Sequence, residues 1–381
     1  MQPNMTLPDL LDAVRKNANL PSDQAEATPP QVYSSAEFLD HELNEIFNHE
    51  WICVGRSDEF ENPGDYRVTT ISRDEVIILR DRGGALRAMS NICRHRMMSL
   101  LEGQGNISSK ITCPYHAWTY TLDGQLIGAS HMPGDFDKNT CKLPQFGVEE
   151  WLGWVYVNLN PQAAPLAPRL APLSEFLANY EVASYRTLFQ VDEIWDTNWK
   201  ILFQNFMEPY HLFAVHTKTV EPVLPTRLAH VVEGGSGYCM YTQGRIADVA
   251  YEYGDAMENP NPALTDNEAQ SVPLFGAFPS HVASISAERT FWMSLMPISP
   301  NKVRVLWGVD VHPNAMPEGA AFDERVATLK ASFHAINAED KPITSTIARN
   351  AKALAAEPGR LSPKEKTIWE FQRYLAKMLT K

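Results

Sequence analysis

Cys93-Arg94-His95 and, after residues 96–112, Cys113-Pro114-Tyr115-His116 decide how this chain reads. Both pairs fall in turns of a strand-rich segment. Two thiolates and two imidazoles can hold either of two metal groups. Zinc takes Cys and His in tetrahedral structural sites. A mixed-ligand [2Fe–2S] cluster takes two cysteines on one iron and two histidines on the other. Each short pair supplies one Cys and one His, which suits a two-iron cluster gripped by two opposing loops. Structural zinc sites more often pair Cys with Cys and His with His.

Outward from these pairs, residues 51–160 read as short strands joined by Gly-bearing turns. Val76–Leu79 is an apolar run followed by Gly83-Gly84, and Val155–Leu159 is another strand. Trp118–Leu122 leads into Asp123-Gly124, a strong hairpin signal. This stretch is expected to form a small all-β domain. Ahead of it, Ser34 and Glu37 have capping-box form. Leu39, Leu43, Ile46 and Phe47 share one helical face, so a helix is expected to run to about Glu50. Residues 1–33 read as an arm, and the Pro- and Ala-rich residues 161–173 as a linker. Beyond it, residues 198–216 and 320–355 read as helices, and 291–311 as two strands around Ser299-Pro300-Asn301-Lys302.

A second metal motif lies at His211 and His216. Five residues turn a regular α-helix by about 500°, leaving the two side chains about 140° apart. They cannot meet one ion on an unbroken helix. Pro209 removes a backbone donor and kinks a helix, so an irregular turn is expected from Pro209 to His216. Two histidines and one carboxylate form the facial triad of non-haem Fe(II) oxygenases. The carboxylate is sought on the later helix. Phe322, Val326, Leu329, Phe333 and Ile336 step along one apolar face, whose next members are Asp340, Ile343 and Ile347. An ionised carboxylate on a buried stripe is costly unless paired or metal-bound, which selects Asp340 as third ligand. Glu339 is the rival, off the stripe, and Pro342 could reset the phase.

The composition narrows the remainder. The chain has 381 residues, 44% hydrophobic, which suggests about two domains and a sizeable core. No apolar run is long enough to span a membrane. Met1–Thr6 does not begin a basic-then-apolar leader, so a cytoplasmic protein is the expectation. A net charge of −13 argues against nucleic acid as partner. The five cysteines are too sparse for a disulfide framework. Cys53, Cys141 and Cys239 read as small buried hydrophobes.

The two cysteine–histidine pairs resemble the Rieske motif. Asn205-Phe206-Met207-Glu208-Pro209-Tyr210-His211 with His216 resembles the iron motif of Rieske-type non-haem iron oxygenases, and Glu339-Asp340 resembles its distal carboxylate. The resemblance covers roughly residues 40–360. Two positions depart from the family pattern: Met97 and Ala117 stand where relatives often have Gly.

The resemblance implies an α+β chain. An N-terminal arm and helix, residues 1–45, pack on the catalytic domain. A small all-β Rieske domain, residues 46–160, is inserted before the larger catalytic non-haem iron domain, residues 161–381, which has an antiparallel sheet and covering helices. Cys93, His95, Cys113 and His116 would hold the cluster, and His211, His216 and Asp340 the iron. Glu208 stands where relatives have an acid that bridges the iron to the Rieske His of a neighbouring subunit, here His116. Glu at that place occurs in relatives that oxidise quaternary ammonium compounds such as carnitine.

The implied activity is O2-dependent hydroxylation of a small organic substrate, with N-demethylation or C–N cleavage of a quaternary ammonium compound in first place. Aromatic-ring mono- or dioxygenation is the alternative. An electron carrier or a zinc-stapled binding protein is a third class. Phe206, Tyr210, Trp292 and Trp307 are candidates for an aromatic cage around a cation. Gly234–Gly237 is too incomplete for a dinucleotide fingerprint, so electrons are expected from a separate NAD(P)H-dependent reductase, directly or through a ferredoxin. A head-to-tail homotrimer follows from the family and from the bridging role of Glu208.

Overall fold

The apolar run at 76–79 lies wholly buried inside a sheet, and the turn signals around it fall where strands end. A computed structural model describes residues 5–246 and 261–380. Contacts divide the chain into a unit of Phe47–Leu166 and a second of Met1–Ile46 with Ala167–Lys381.

The first unit is all-β. It contains β1 (Ile52–Arg56), β2 (Asp65–Ile71), β3 (Asp74–Arg80), β4 (Leu86–Ser90), β5 (Gln104–Asn106), β6 (Ile111–Thr112), β7 (Thr119–Tyr120), β8 (Leu126–Gly128), β9 (Gln145–Trp151) and β10 (Trp154–Asn158). Seven of these form a sheet in the order β1-β10-β9-β4-β3-β2-β5, and β6-β7-β8 form a smaller one. Asp123-Gly124 turns the chain between β7 and β8, with Gly124 at φ +83°, a conformation that favours glycine. Cys53 is fully buried, but Cys141 is only half-buried, contrary to expectation. It ends a short 3₁₀ turn, Lys138–Cys141, at the edge of the apolar cluster rather than in a strand.

The second unit holds β11 (Arg186–Trp195), β12 (Ala229–Gly235), β13 (Tyr238–Gly244), β14 (Ser271–Ala277), β15 (His281–Ile285), β16 (Arg289–Ser299) and β17 (Lys302–Val311). They form an antiparallel sheet in the order β11-β17-β16-β15-β14-β13-β12. Its helices include α1 (Leu7–Ala18), α2 (Ala36–Glu42), α3 (Trp199–Phe206), α4 (Leu212–Val215), α5 (Ala320–Asn350) and α6 (Lys366–Leu379). Helix α6 packs on β12, β13 and α1, whereas α5 packs on α3 and β11.

Several local readings are corrected. The cap of α2 is Ser35, not Ser34: its hydroxyl accepts the Phe38 N–H at 3.1 Å, while Ser34 ends a preceding helical turn. The α-helix stops at Glu42 and continues as a π turn over Leu43–Phe47. The linker is part helical, with short helices at Leu166–Arg169 and Ala171–Phe176. Residues 198–216 split into α3 and α4.

The apolar stripe of α5 holds in its middle and fails at its ends. Phe322, Ile343 and Ile347 are 37%, 41% and 46% exposed, and Thr344 and Ala348 are buried instead. A repeat of 3.5 residues drifts about 20° per heptad against a 3.6-residue helix. Over the length of α5 that drift turns both ends of the stripe outward. The helix runs on through Pro342, and the Thr344 hydroxyl donates to the Asp340 carbonyl at 3.0 Å.

A buried ion pair ties α2 to α3. Lys200 Nζ lies 2.7 Å from Glu42 Oε1, both side chains fully buried, and the Trp199 indole donates to the same carboxylate at 3.1 Å. Burial opposes both charges, raising the Glu42 pKa and lowering that of Lys200, against their mutual attraction. Removing one partner from such a pair costs about 3–5 kcal/mol.

Candidate metal centres and substrate cavity

Two loops of the all-β unit have the same backbone design. The Cys93 carbonyl accepts the Met97 N–H at 3.1 Å, and the Cys93 N–H donates to the Met98 carbonyl at 2.8 Å. In the second loop the Cys113 carbonyl accepts from Ala117 at 3.0 Å, and the Cys113 N–H donates to Trp118 at 2.8 Å. Both cysteines are buried and neither is in a disulfide, while His95 and His116 are exposed at the loop tips. The two imidazole rings lie 4.7 Å apart, and His95 stacks on Trp118. The Tyr120 hydroxyl sits 3.3 Å from Cys93 Sγ and accepts the Arg94 N–H. Two inner thiols and two outer imidazoles are the donor set a mixed-ligand [2Fe–2S] cluster requires.

The turn that closes each loop needs a left-handed residue. Met97 has φ +57° and Ala117 φ +56°. Side chains adopt this region at a cost of about 1–2 kcal/mol, so the two departures from glycine are the places where these loops are strained. Gly also loses more freedom on folding, which offsets part of the gain. Ala117→Gly is expected to stabilise the protein by about 0.5–1 kcal/mol, read as a higher unfolding midpoint. A lowered midpoint would show that the loop carries no such strain.

In the second unit the chain leaves α3 at Met207 and re-enters a helix at Leu212. The backbone is irregular at 207–211 and again from His216, so the expected irregular stretch of 209–216 begins two residues earlier and is interrupted by one helical turn. The freed carbonyls find partners: the Thr367 hydroxyl donates to Met207, and Thr226 Oγ1 donates to Pro209 at 3.2 Å. His211 and His216 flank the four-residue α4 as its N-cap and C-cap, with ring centroids 5.1 Å apart.

One ligand atom from each of His211, His216 and Asp340 lies within 4.8 Å of the others. Asp340 Oδ1 is 3.8 Å from His211 Nε2 and 3.2 Å from His216 Nε2. That oxygen is buried without a hydrogen-bond partner, an arrangement that a bound cation would complete. The far nitrogens are held by other carboxylates. His211 Nδ1 lies 2.6 Å from Glu208 Oε1, and His216 Nδ1 lies 2.7 Å from Glu339 Oε2, which also accepts from Thr219 at 2.5 Å. A carboxylate on Nδ1 fixes the proton there and leaves the Nε2 lone pair facing inward. Glu339, the rival ligand, therefore stands behind His216 rather than in the cluster. Burial disfavours charge on His216, but Asp340 and Glu339 outweigh it and raise its pKa.

The three groups open onto a cavity of about 180 Å³. Its wall is mostly apolar and includes Trp195, Phe206, Tyr241, Phe291 and Phe333. Of the four aromatics proposed for a cage, only Phe206 is on this wall. Trp292 and Trp307 are fully buried, and Tyr210 is 46% exposed. Sequence reading had no means to choose the face of each strand. The signal was nonetheless present as period two: Tyr241 and Gln243, Val272 and Leu274, Ser284 and Ser286, and Arg289, Phe291 and Met293 all line the cavity.

Comparison with known proteins decides the family. Residues 177–381 match the ring hydroxylating alpha subunit (catalytic domain) family, and residues 50–146 match the Rieske [2Fe–2S] domain. The chain belongs to the ring-hydroxylating alpha-subunit family. The cofactors of these two domains are a Rieske [2Fe–2S] cluster and a mononuclear iron. As a ring-hydroxylating alpha subunit, it is 32% identical over 215 residues to the carnitine monooxygenase oxygenase subunit of Escherichia coli (strain K12), covering 55% of this chain and 58% of that one. It is 32% identical over 197 residues to the glycine betaine monooxygenase oxygenase subunit of Chromohalobacter salexigens, covering 51% and 44%. The match to the large subunit of anthranilate 1,2-dioxygenase from Acinetobacter baylyi is 29% over 228 residues, covering 56% and 47%. The chain thus spans about half the length of the curated relatives it matches.

Solved oxygenase structures share the fold. A quaternary ammonium Rieske monooxygenase superposes with a TM-score of 0.82 at 22% identity, covering 94% of this chain and 98% of that one. Naphthalene 1,2-dioxygenase from Rhodococcus sp. superposes with a TM-score of 0.81 at 21% identity, covering 98% and 99%. Among the described residues, no helix is long and apolar enough to cross a membrane.

Proposed function

We propose that this chain is the oxygenase component of a Rieske monooxygenase that hydroxylates a small quaternary ammonium compound, with electrons from a separate NAD(P)H-dependent reductase. The observation that carries this reading is the convergence of two Nε2 atoms and one partnerless carboxylate oxygen on the wall of an aromatic-lined cavity. His211, His216 and Asp340 would hold the iron, and Cys93, His95, Cys113 and His116 the cluster. Bound there, a ferrous iron supplies O2 activation and a Rieske cluster supplies single electrons. One oxygen atom enters a C–H bond and the other leaves as water, consuming two electrons and two protons. Hydroxylation at an N-methyl carbon would release that carbon as an aldehyde.

The residues of the chain shape this reaction. Glu208 and Glu339 orient the imidazoles, and the apolar wall excludes water. Aromatic faces attract a desolvated ammonium group with about 2 kcal/mol or more. Glu208 lines a second, outward depression with Gln204, Glu357 and Glu365. The cluster loops expose Met97, Tyr115 and the histidines beside Arg94 and Arg96. A basic, partly apolar tip and an acid-bearing depression suit one another in a head-to-tail homotrimer, where Glu208 would meet His116 of a neighbouring copy.

Aromatic-ring hydroxylation is the second reading, favoured by the anthranilate dioxygenase relative. Substrate-dependent O2 uptake tests both. Uptake is expected with one or more of L-carnitine, γ-butyrobetaine and glycine betaine, with none for benzoate or anthranilate. Uptake with the aromatic acids alone would reverse the assignment.

A further inference from the structure

The floor of the cavity is one face of the sheet, and its register places charge at one end. Tyr241 pairs with Leu274, Leu274 with Ser284, and Ser284 with Phe291, giving one row across β13 to β16. The next row starts with Gln243 opposite Val272 and ends at Ser286 and Arg289, which are joined by backbone and side-chain hydrogen bonds of 2.8–3.1 Å. Arg245 lies two residues beyond Gln243. Successive rows are about 7 Å apart along a strand, so both arginines, which line the cavity, start from the same end of this sheet face. The Tyr241 row lies away from that end, on the side of Glu208 and Asp340. The Tyr241 hydroxyl reaches the Phe206 carbonyl at 3.5 Å, close to the break that carries His211.

We propose that Arg245 and Arg289 form the anion-binding end of the cavity and select a substrate that carries a carboxylate. The inference rests on the oxygenase reading above and adds the substrate's second charged group. Both arginines line the cavity, whose only carboxylate among the described lining residues is Asp340 in the metal cluster. Glu288 lies 3.4 Å from Arg289 and also pairs with Arg325. A planar guanidinium matches a carboxylate with two parallel hydrogen bonds, and a lysine does not. Aromatic walls at one end and guanidinium groups at the other suit an elongated zwitterion, its ammonium methyl groups toward the iron ligands.

Calorimetric binding to the full chain with both metals loaded tests this. The probes are γ-butyrobetaine, n-propyltrimethylammonium, which keeps the cation and lacks the carboxylate, and benzoate, which is an anion alone. Arg245→Gln and Arg289→Gln are each expected to weaken γ-butyrobetaine binding about ten- to hundredfold and to leave n-propyltrimethylammonium unchanged. Arg289→Lys is expected to fall between the wild type and Arg289→Gln. Equal weakening of both ammonium probes would mean a purely structural role and would overturn the proposal. So would variants that bind γ-butyrobetaine as the wild type does, or a wild type that binds none of the three probes. A wild type that binds benzoate alone, with loss of benzoate in the Gln variants, would support the anion site and refute the quaternary ammonium substrate instead.

Discussion

His211→Ala is expected to abolish turnover and bound iron while leaving the visible and EPR spectra of the cluster unchanged. The imidazole contributes one of three inward-facing donors, within 4.8 Å of the other two. Without it, His216 Nε2 and Asp340 Oδ1 remain, and two donors cannot make a facial triad. Loss of an outer-shell partner alone typically costs ten- to hundredfold in metal affinity, so loss of a donor should cost at least about a hundredfold. The fold should survive. His211 caps a four-residue helix and its side chain is 15% exposed, so no large core void opens. Glu208 keeps the His211 backbone N–H, accepted at 3.1 Å. The cluster loops lie in the other compact unit and share no element with α4. Iron per chain, the EPR signal after reduction and product formation are the three readouts. Turnover above about a tenth of wild type, or loss of the cluster signal, would sink the assignment.

The sequence exposes these residues unevenly, and the reasons are physical. Cys93, His95, Cys113 and His116 are legible because each loop is short, so spacing alone constrains geometry. His211 and His216 are legible as a pair but not as a shape. Their convergence depends on a break whose carbonyls are satisfied by Thr226 and Thr367, residues remote in sequence. The apolar stripe that points to Asp340 holds only locally. Phe333 and Ile336 do line the cavity beside it, but the same stripe turns to solvent at Ile343 and Ile347. The contact of Glu339 with His216 is hidden from sequence, since a residue one step off a helix stripe can point at the outer nitrogen of a histidine on another element. The cavity wall was the least legible part. Strand alternation marks two faces equally, and only the packing of α3 and α5 decides which of them is inside.

Glu208→Gln is the sharper experiment because it separates holding a metal from feeding it. The Glu208 side chain is 10% exposed, reaches His211 Nδ1 at 2.6 Å and lines the outward depression. One carboxylate can accept hydrogen bonds from two imidazoles at once, here from His211 and, in the proposed ring of copies, from His116 of a neighbour. An amide of the same length offers one acceptor oxygen and an NH2 group that can only donate. Glutamine can keep the His211 Nδ1 contact through its oxygen, at the loss of the backbone N–H contact on the other oxygen, so iron content should stay near wild type. It cannot accept from both rings with ionic strength, and charge-assisted bonds are about twice as strong as neutral ones. Reoxidation of the pre-reduced cluster in a single turnover should therefore slow by about a hundredfold, with both metals still present. Glu208→Asp retains the charge but is one methylene shorter, so it should slow the same step by shortening reach rather than by removing charge. Equal reoxidation rates in Glu208→Gln and wild type would mean that electrons enter by another route, and that Glu208 serves only to orient His211.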